Sequence, residues 1–360
     1  MSESSTAIDP DAPVLVTGAS GYIGSWIVRL LLEAGRTVHG TVRNPQKPSG
    51  LEHLHKLSDA HPGRLRLFKA DLLETGSFDE AMDGCELVMH TASPFLLSGV
   101  KDAQEALVRP ALEGTRNVLD SVNRTPSVKR VVLTSSVVAI CGDNRDSLDV
   151  PGGVLTDEHW NTTSSVDHQP YPYSKTVAER EAWRYQEAQD RWDMVTIHPG
   201  LVLGPSLTSA SDSASLSTMK QFTDGTLFAG APGLMMGVVD VREVADAHLR
   251  AGFTPEAHGR YIVNADSVTL LQIGKMLRRK YGPLYPFPWT TLPKVVVKAI
   301  APVAGLTRKF VDRNVGYPLA FDNSRSRNEL GLTYRPLEQT VTEHFQQMLD
   351  DGLVRRRPGA

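Results

Sequence analysis

Tyr171 and Lys175 stand four residues apart in YPYSKTVAEREAW, just behind a proline, so a helix starting there would carry both on one face. A free phenol with a pKa of about 10 exchanges protons poorly at neutral pH, and a neighbouring ammonium favours the phenolate and draws the group into working range. Ser135 and Ser136 close the run RVVLTSS, where a strand end would hold a hydroxyl beside a substrate oxygen. Phenol, ammonium and hydroxyl together suit hydride exchange at a carbonyl carbon with proton transfer at oxygen. Each residue also has a plain structural reading: helix-start packing for Tyr171, a solvated Lys175, and a strand-end serine pair. Their order along the chain, behind a glycine-rich turn, favours the chemical reading.

Such chemistry needs a hydride carrier, and residues 14–28, VLVTGASGYIGSWIV, offer it a cradle. An apolar strand runs into Gly18, Gly21 and Gly24 and then into a helix starting near Tyr22. Glycines there let the backbone reach positive φ and let phosphate oxygens approach amide groups at the positive end of the helix. The G-x-x-G-x-x-G spacing is one residue longer than the dinucleotide fingerprint G-x-G-x-x-G. Gly18, Ser20, Gly21, Tyr22, Ile23 and Gly24 are the expected cradle, and Gly35 is expected to cap the helix. The second strand ends in HGTVRNPQKP, without the acid that would bind ribose hydroxyls and repel a 2′-phosphate. Arg43, helped by Lys47, is expected to grip that phosphate and so select NADP(H); a merely solvated Arg43 is the alternative. Asp71 and Leu72, after the third strand, fall at the adenine edge.

These residues need elements to position them. PVLVTG, RTVHGTV, RLRLFKA, ELVMHTA, RVVLTSS and MVTIHPG read as strands, alternating with helical patterns such as YIGSWIVRLLLEAG and DAQEALVRPALEGTRNVLDSV. The alternation predicts an α/β fold, a doubly wound parallel sheet of Rossmann type buried on both faces. It would span residues 12–200, with 237–264 returning to it as strand, helix and strand. Residues 201–236 and 265–352 would form a smaller, interleaved C-terminal substrate lobe, with tails at 1–11 and 353–360. The Ser, Thr, Ala and Asp run from Ser206 to Ser217 reads as a flexible loop, and PLEQTVTEHFQQMLDDGL as a terminal amphipathic helix.

Composition bounds the partners. The 360 residues carry 38 Lys and Arg against 41 Asp and Glu, a net charge of −3 that makes no case for nucleic acid or an anionic membrane. Two cysteines, Cys85 and Cys141, build neither a disulfide framework nor a metal site, so no metal and a reducing cytoplasm are expected. MSESSTAIDPDAP has acids and no apolar core, unlike a signal peptide. The stretch LPKVVVKAIAPVAGL is shorter than the roughly 20 residues of a bilayer span and reads as a helix on the protein surface.

VTGASGYIGSWIV, GTVRNP, FKADL, GSFDEAMDGCELVMHTASP, RVVLTSS, YPYSKTVAE, HPGLVLGP and DNSRSRNELGLTYRPLEQT together resemble the extended short-chain dehydrogenase/reductase family. Within it they are similar to the dihydroflavonol 4-reductase, cinnamoyl-CoA reductase and methylglyoxal (aldehyde) reductase branch, over about residues 12–350. The resemblance implies NADP(H) and a catalytic Ser136, Tyr171 and Lys175, with Ser136 preferred to Ser135 as the last of its triplet. It also implies cofactor contacts from Thr91, Ala92 and Ser93, from Pro199, Gly200, Leu201 and Val202, and from Tyr171 and Lys175 themselves. Two departures stand out. Pro110 and Ala111 occupy the place where many relatives carry a proton-relaying asparagine, and the serine-rich loop differs from the plant enzymes. Phe95, Met235, Met236 and GPLYPFPW are candidates for an apolar substrate pocket or, alternatively, for core.

The leading expectation is a cytoplasmic NADPH-dependent reductase of an aldehyde or ketone, reversible as an alcohol dehydrogenase. The rivals are a nucleotide-sugar epimerase or dehydratase that retains NAD, and a non-catalytic NADP(H)-binding protein. A monomer or a homodimer is expected, since relatives pair through the helices that contain Leu107 and Ala178.

Overall fold

The computed structural model describes residues 7–47, 49–93, 102–208 and 214–355. Its principal strands are β1 (Val14–Thr17), β2 (Val38–Val42), β3 (Leu65–Lys69), β4 (Leu87–His90), β5 (Arg130–Thr134), β6 (Asp193–Pro199), β7 (Leu201–Leu203), β8 (Met235–Asp240), β9 (Gly259–Val263) and β10 (Asp266–Thr269). Seven of them form a wholly parallel sheet in the order β9-β6-β5-β4-β1-β2-β3. Because the order reverses between β1 and β4, their carboxyl ends open a crevice where such sheets bind ligands. Val14, Leu15, Val16, Val88, Met89, Val131 and Val132 are buried, as a sheet covered on both faces requires.

The principal helices are α1 (Tyr22–Glu33), α2 (Glu52–Ala60), α3 (Arg109–Arg124), α4 (Pro170–Glu187), α5 (Val241–Phe253), α6 (Leu270–Tyr281), α7 (Lys294–Ile300), α8 (Arg308–Asn314) and α9 (Leu337–Asp350). Helix α1 ends as its sequence predicts: Gly35 adopts φ +76°, its N–H donates to the Leu32 carbonyl, and Arg36 N–H donates to Leu31. A π-helical turn, Gln104–Val108, leads into α3 and places Pro110 within its first turn.

Strand β9 joins the edge of the large sheet, but β8 does not. It pairs with β7 and β10 in a second, three-stranded sheet, so the expected strand–helix–strand return is divided between two sheets. The reason is spacing: β7 follows β6 after a single residue, Gly200, and draws β8 alongside it. The second sheet covers a lobe core of Leu203, Phe222, Leu277, Tyr281, Tyr285, Phe287 and Phe345, in which the Tyr285 and Phe345 rings meet edge to face at 5.3 Å. Tyr285 and Phe287 of the GPLYPFPW segment are therefore core residues.

Residues 7–11, 353–355, 206–208 and 214–217 are the parts of the expected tails and loop that lie among the described residues; residues 1–6, 209–213 and 356–360 lie outside them. Asp9 N–H donates to Glu86, and Ile8 packs on the main core. Val354 is buried, with its N–H on the Met348 carbonyl. The serine-rich run becomes helical from Ala214, and Ser215 is buried with its hydroxyl on the Val202 carbonyl at 2.5 Å. Among the described residues no helix is long and apolar enough to cross a membrane.

Candidate active site

The glycine turn after β1 is shaped for close approach. Gly18 sits at φ +67°, and a Cβ on Gly24 would fall 2.3 Å from the Gly18 carbonyl oxygen, so no side chain fits there without moving the turn. Gly21 begins α1 with no side-chain cap, which leaves the first amides of a twelve-residue helix facing the crevice. This bare turn fits a pyrophosphate. The Tyr22 side chain leaves the cradle: its hydroxyl donates to the Gly204 carbonyl at 2.5 Å, and Trp26 Nε1 donates to Pro205 at 2.8 Å, tying α1 to the lobe. Ile23 packs on the core, and Ser20 is half-buried at the turn.

Arg43 and Lys47 are both exposed just past β2, and neither pairs with a carboxylate among the described residues. Asp71 is engaged locally, its carboxylate accepting from Leu73 N–H, while Leu72 packs on Gly114 of α3 and lines the cleft. Thr91 turns back, donating its hydroxyl to the Thr17 carbonyl at 2.6 Å, and Ala92 lies against Gly18. Phe95 lies outside the described residues.

Past the ends of β4 and β5 opens a small cleft lined by Leu72, His90, Ala92, Ser93, Ser135, Lys175 and Glu179, among others. Across it Lys175 Nζ donates to Ser93 Oγ at 3.1 Å. Tyr171 stands one helical turn before Lys175 on α4. The Ser136 hydroxyl donates to the Pro199 carbonyl at 3.4 Å and accepts Val138 N–H, joining the ends of β5 and β6. Gly200 is confined between Asn264 and Gly237, and Leu201 and Val202 pair with β8. The structure thus gathers Ala92, Ser93 and Lys175 in one cleft. Arg43, Lys47 and Asp71 lie outside its lining.

Burial sets the electrostatics. It pushes the Tyr171 phenol up to about 12 and brings the Lys175 ammonium down to about 8, against the opposing pull of Glu179. Desolvation of the phenol thus works against the lowering expected from the lysine and an oxidised nicotinamide. Burial, and then the Lys175 charge, lower His90 to about 3, so its ring is neutral; its Nδ1 lies 2.8 Å from Thr17 Oγ1.

Sequence reasoning missed the group that fixes the helix carrying these residues. Glu179, buried one turn beyond Lys175, accepts from Ser135 Oγ at 2.5 Å, His198 Nε2 at 2.8 Å, Arg260 Nε at 2.7 Å and Trp183 Nε1 at 3.2 Å. Burial alone would raise its carboxyl, but His198 and Arg260 hold it at about 2. The spacing of four from Lys175 was the available signal, since it puts the carboxylate on the same helix face. Ser135, its hydroxyl held by this carboxylate, is buried and lines the cleft, whereas Ser136 is half-buried and, like Tyr171, lies outside that lining.

The start of α4 is fixed as tightly. Gln169, immediately before Pro170, has φ 58°, the one non-glycine residue with positive φ among those described. Its amide donates to the Gly142 carbonyl and to Asp143 at 2.7 Å. Asp143 is fully buried and also accepts from His168, Asn314 and Arg313; burial raises its carboxyl, but these donors hold it below the ordinary carboxylate value.

Known proteins resemble this chain along nearly its whole length. The sequence pattern of the NAD dependent epimerase/dehydratase family matches residues 14–264. The chain is 38% identical over 338 residues to cinnamoyl-CoA reductase CAD2 of Medicago truncatula, covering 93% of this chain and 95% of that protein. It is 37% identical to tetraketide alpha-pyrone reductase 1 of Arabidopsis thaliana, covering 95% and 96%. The structure of Gre2 from Candida albicans in complex with NADPH matches with a TM-score of 0.75 at 26% identity, over 94% of this chain and 99% of that one.

Two measurements check the electrostatics. Glu179→Ala leaves Arg260 buried without its carboxylate and is expected to lower the unfolding free energy by about 3 kcal/mol or more, read by urea denaturation. Because the folded carboxyl titrates near 2, below its ordinary 4.5, the wild-type advantage is complete above pH 4.5 and is lost as the pH falls toward 2. Second, an ammonium titrating near 8 is present below that pH and lost above it. The kcat/KM for reduced dinucleotide, which reports the free enzyme, is expected to fall above about pH 8 in a pH–rate profile.

Proposed function

The chain belongs to the NAD dependent epimerase/dehydratase family, the extended short-chain dehydrogenases/reductases, and on that premise we propose that it is an NADP(H)-dependent reductase of an aldehyde or ketone. The family's description also covers epimerases and dehydratases. The reductase reading is supported by the similarity to named reductases along nearly the whole chain and by a second-strand end that has Arg43 where NAD-retaining enzymes favour an acid. The two buried free thiols fit a reducing compartment, and we assign the reaction to the cytoplasm.

The observation that carries the proposal is the Lys175–Ser93 contact across the cleft, with Tyr171 one turn away and Ser136 at the neighbouring strand end. The backbone of Gly18–Gly24 would hold the cofactor pyrophosphate, and Arg43 and Lys47 the 2′-phosphate. Asp71 and Leu72 would flank the adenine, and Ala92, Ser93 and Pro199–Val202 the nicotinamide end. NADPH, when bound, supplies the hydride. Ser136, turning its hydroxyl away from the Pro199 carbonyl, would donate a hydrogen bond to the substrate carbonyl oxygen and orient it. Tyr171, a neutral phenol at physiological pH, gives its proton to that oxygen as charge develops there. Lys175 offsets the phenolate left behind and binds the ribose.

Tyr171→Phe keeps the ring and removes the proton, so NADPH turnover with a carbonyl substrate is expected to fall on the order of 100-fold or more while NADPH binding by fluorescence titration is retained. Undiminished turnover would overturn the assignment. Arg43→Asp removes the phosphate partner and adds a repelling charge. It is expected to weaken NADPH binding on the order of tenfold or more and to spare or improve NADH, read as the ratio of the two kcat/KM values.

A further inference from the structure

Between Asp266 and Asp312 the chain runs through residues 267–311 without a single Asp or Glu, although it has 41 elsewhere. The same stretch holds eight of the 38 Lys and Arg: Lys275, Arg278, Arg279, Lys280, Lys294, Lys298, Arg308 and Lys309. Two of these cations meet carboxylates from outside it, Arg279 on Glu338 and Lys298 on Asp312. Arg308 and Lys309 are exposed directly after the apolar turn that follows α7.

This basic segment is also where large apolar side chains face outward. Helix α7 buries Val297, and the following Ala301, against Val311 and Val315 in and after α8. Val296, Ile300 and Val303, spaced by four and three, fall on another face and are exposed by 43%, 48% and 95%; Val295 is exposed by 80%. Leu306 and Trp289 are exposed as well, and the Arg278 guanidinium lies 3.4 Å from the Trp289 ring centre. Burial in the folded chain does not account for such a stripe, and a contiguous apolar stripe on a surface marks an interaction site.

We propose that α7 and the turn after it dock on an anionic lipid bilayer surface, with Val295, Val296, Ile300 and Val303 entering the headgroup region and Arg308 and Lys309 meeting lipid phosphates. The charge pattern selects this occupant. Two-fold pairing of this surface with a second copy would set one acid-free basic segment against another, whereas anionic headgroups complement it. An apolar stripe beside cations and an exposed tryptophan is the composition of an interfacial helix that lies on a membrane without spanning it. The chain-wide charge of −3 hides this asymmetry, which is why the sequence reading expected no membrane partner.

The test uses the full chain, cosedimented with vesicles of phosphatidylcholine alone and of phosphatidylcholine with an equal part of phosphatidylglycerol. The expected result is association with the anionic vesicles that is at least about tenfold tighter than with the neutral ones and weakens as salt is added. Val295→Asp with Val303→Asp, and separately Arg308→Glu with Lys309→Glu, are expected to abolish or sharply reduce it. Both pairs are exposed, and unchanged thermal unfolding midpoints show that the variants fold. Failure to sediment with anionic vesicles overturns the proposal, as does equal sedimentation of folded Val295→Asp/Val303→Asp protein. A dimer seen by light scattering, split by that same variant and accompanied by no lipid binding, overturns it in favour of a second copy.

Discussion

The site depends on one buried carboxylate. Ionised in an apolar interior, Glu179 is tolerable only because each oxygen is hydrogen-bonded and a guanidinium lies beside it. Its donors come from just past β5, from β6, from β9 and from α4 itself, so these elements meet in one arrangement or leave a charge unpaired. Arg260 carries the constraint further. It donates to the backbone carbonyls of Asp157 and His159 and lies 3.9 Å from the Trp160 ring, which fixes the segment leading into α4. Lys175 and Tyr171 lie one and two turns up the same helix, and their height above the sheet edge follows from where Glu179 is held.

Asp143 does the same for the first turn of that helix. By holding Gln169 in a left-handed conformation it turns the chain sharply into Pro170, which places Tyr171 at the helix start. Two of its other partners, Arg313 and Asn314, belong to α8 in the lobe. The lobe also reaches the cofactor side through Tyr22 and Trp26 on Gly204 and Pro205. Helix α1 and helix α4 are therefore both tied to the lobe.

What could be read in the sequence follows from the range of the interactions involved. The six strands, the glycine turn and the Gly35 cap were legible because each is decided by residues within a few positions, through period, positive φ or a local carbonyl. The Glu179 cluster was not, since its partners Ser135, His198 and Arg260 stand 44, 19 and 81 residues away and carry no mutual spacing. Strand β8 was recognised as a strand but assigned to the wrong sheet, because its pairing depends on where β7 lies. At the end of the serine-rich run composition is overridden in the same way: burial of Ser215 against Val202 holds the start of a helix at Ala214.

Burial also sets the protonation of the two groups on α4. Desolvation raises the Tyr171 phenol to about 12, so it is protonated at neutral pH. The lysine meant to counter this is itself weakened by the same walls, and Glu179 restores only part of its charge preference. Oxidation of an alcohol needs the phenolate, which would require a further positive charge beside the ring. Reduction of a carbonyl needs the phenol, which is already present. The apolar packing that fixes α4 against the sheet thus also keeps the Tyr171 phenol protonated at neutral pH.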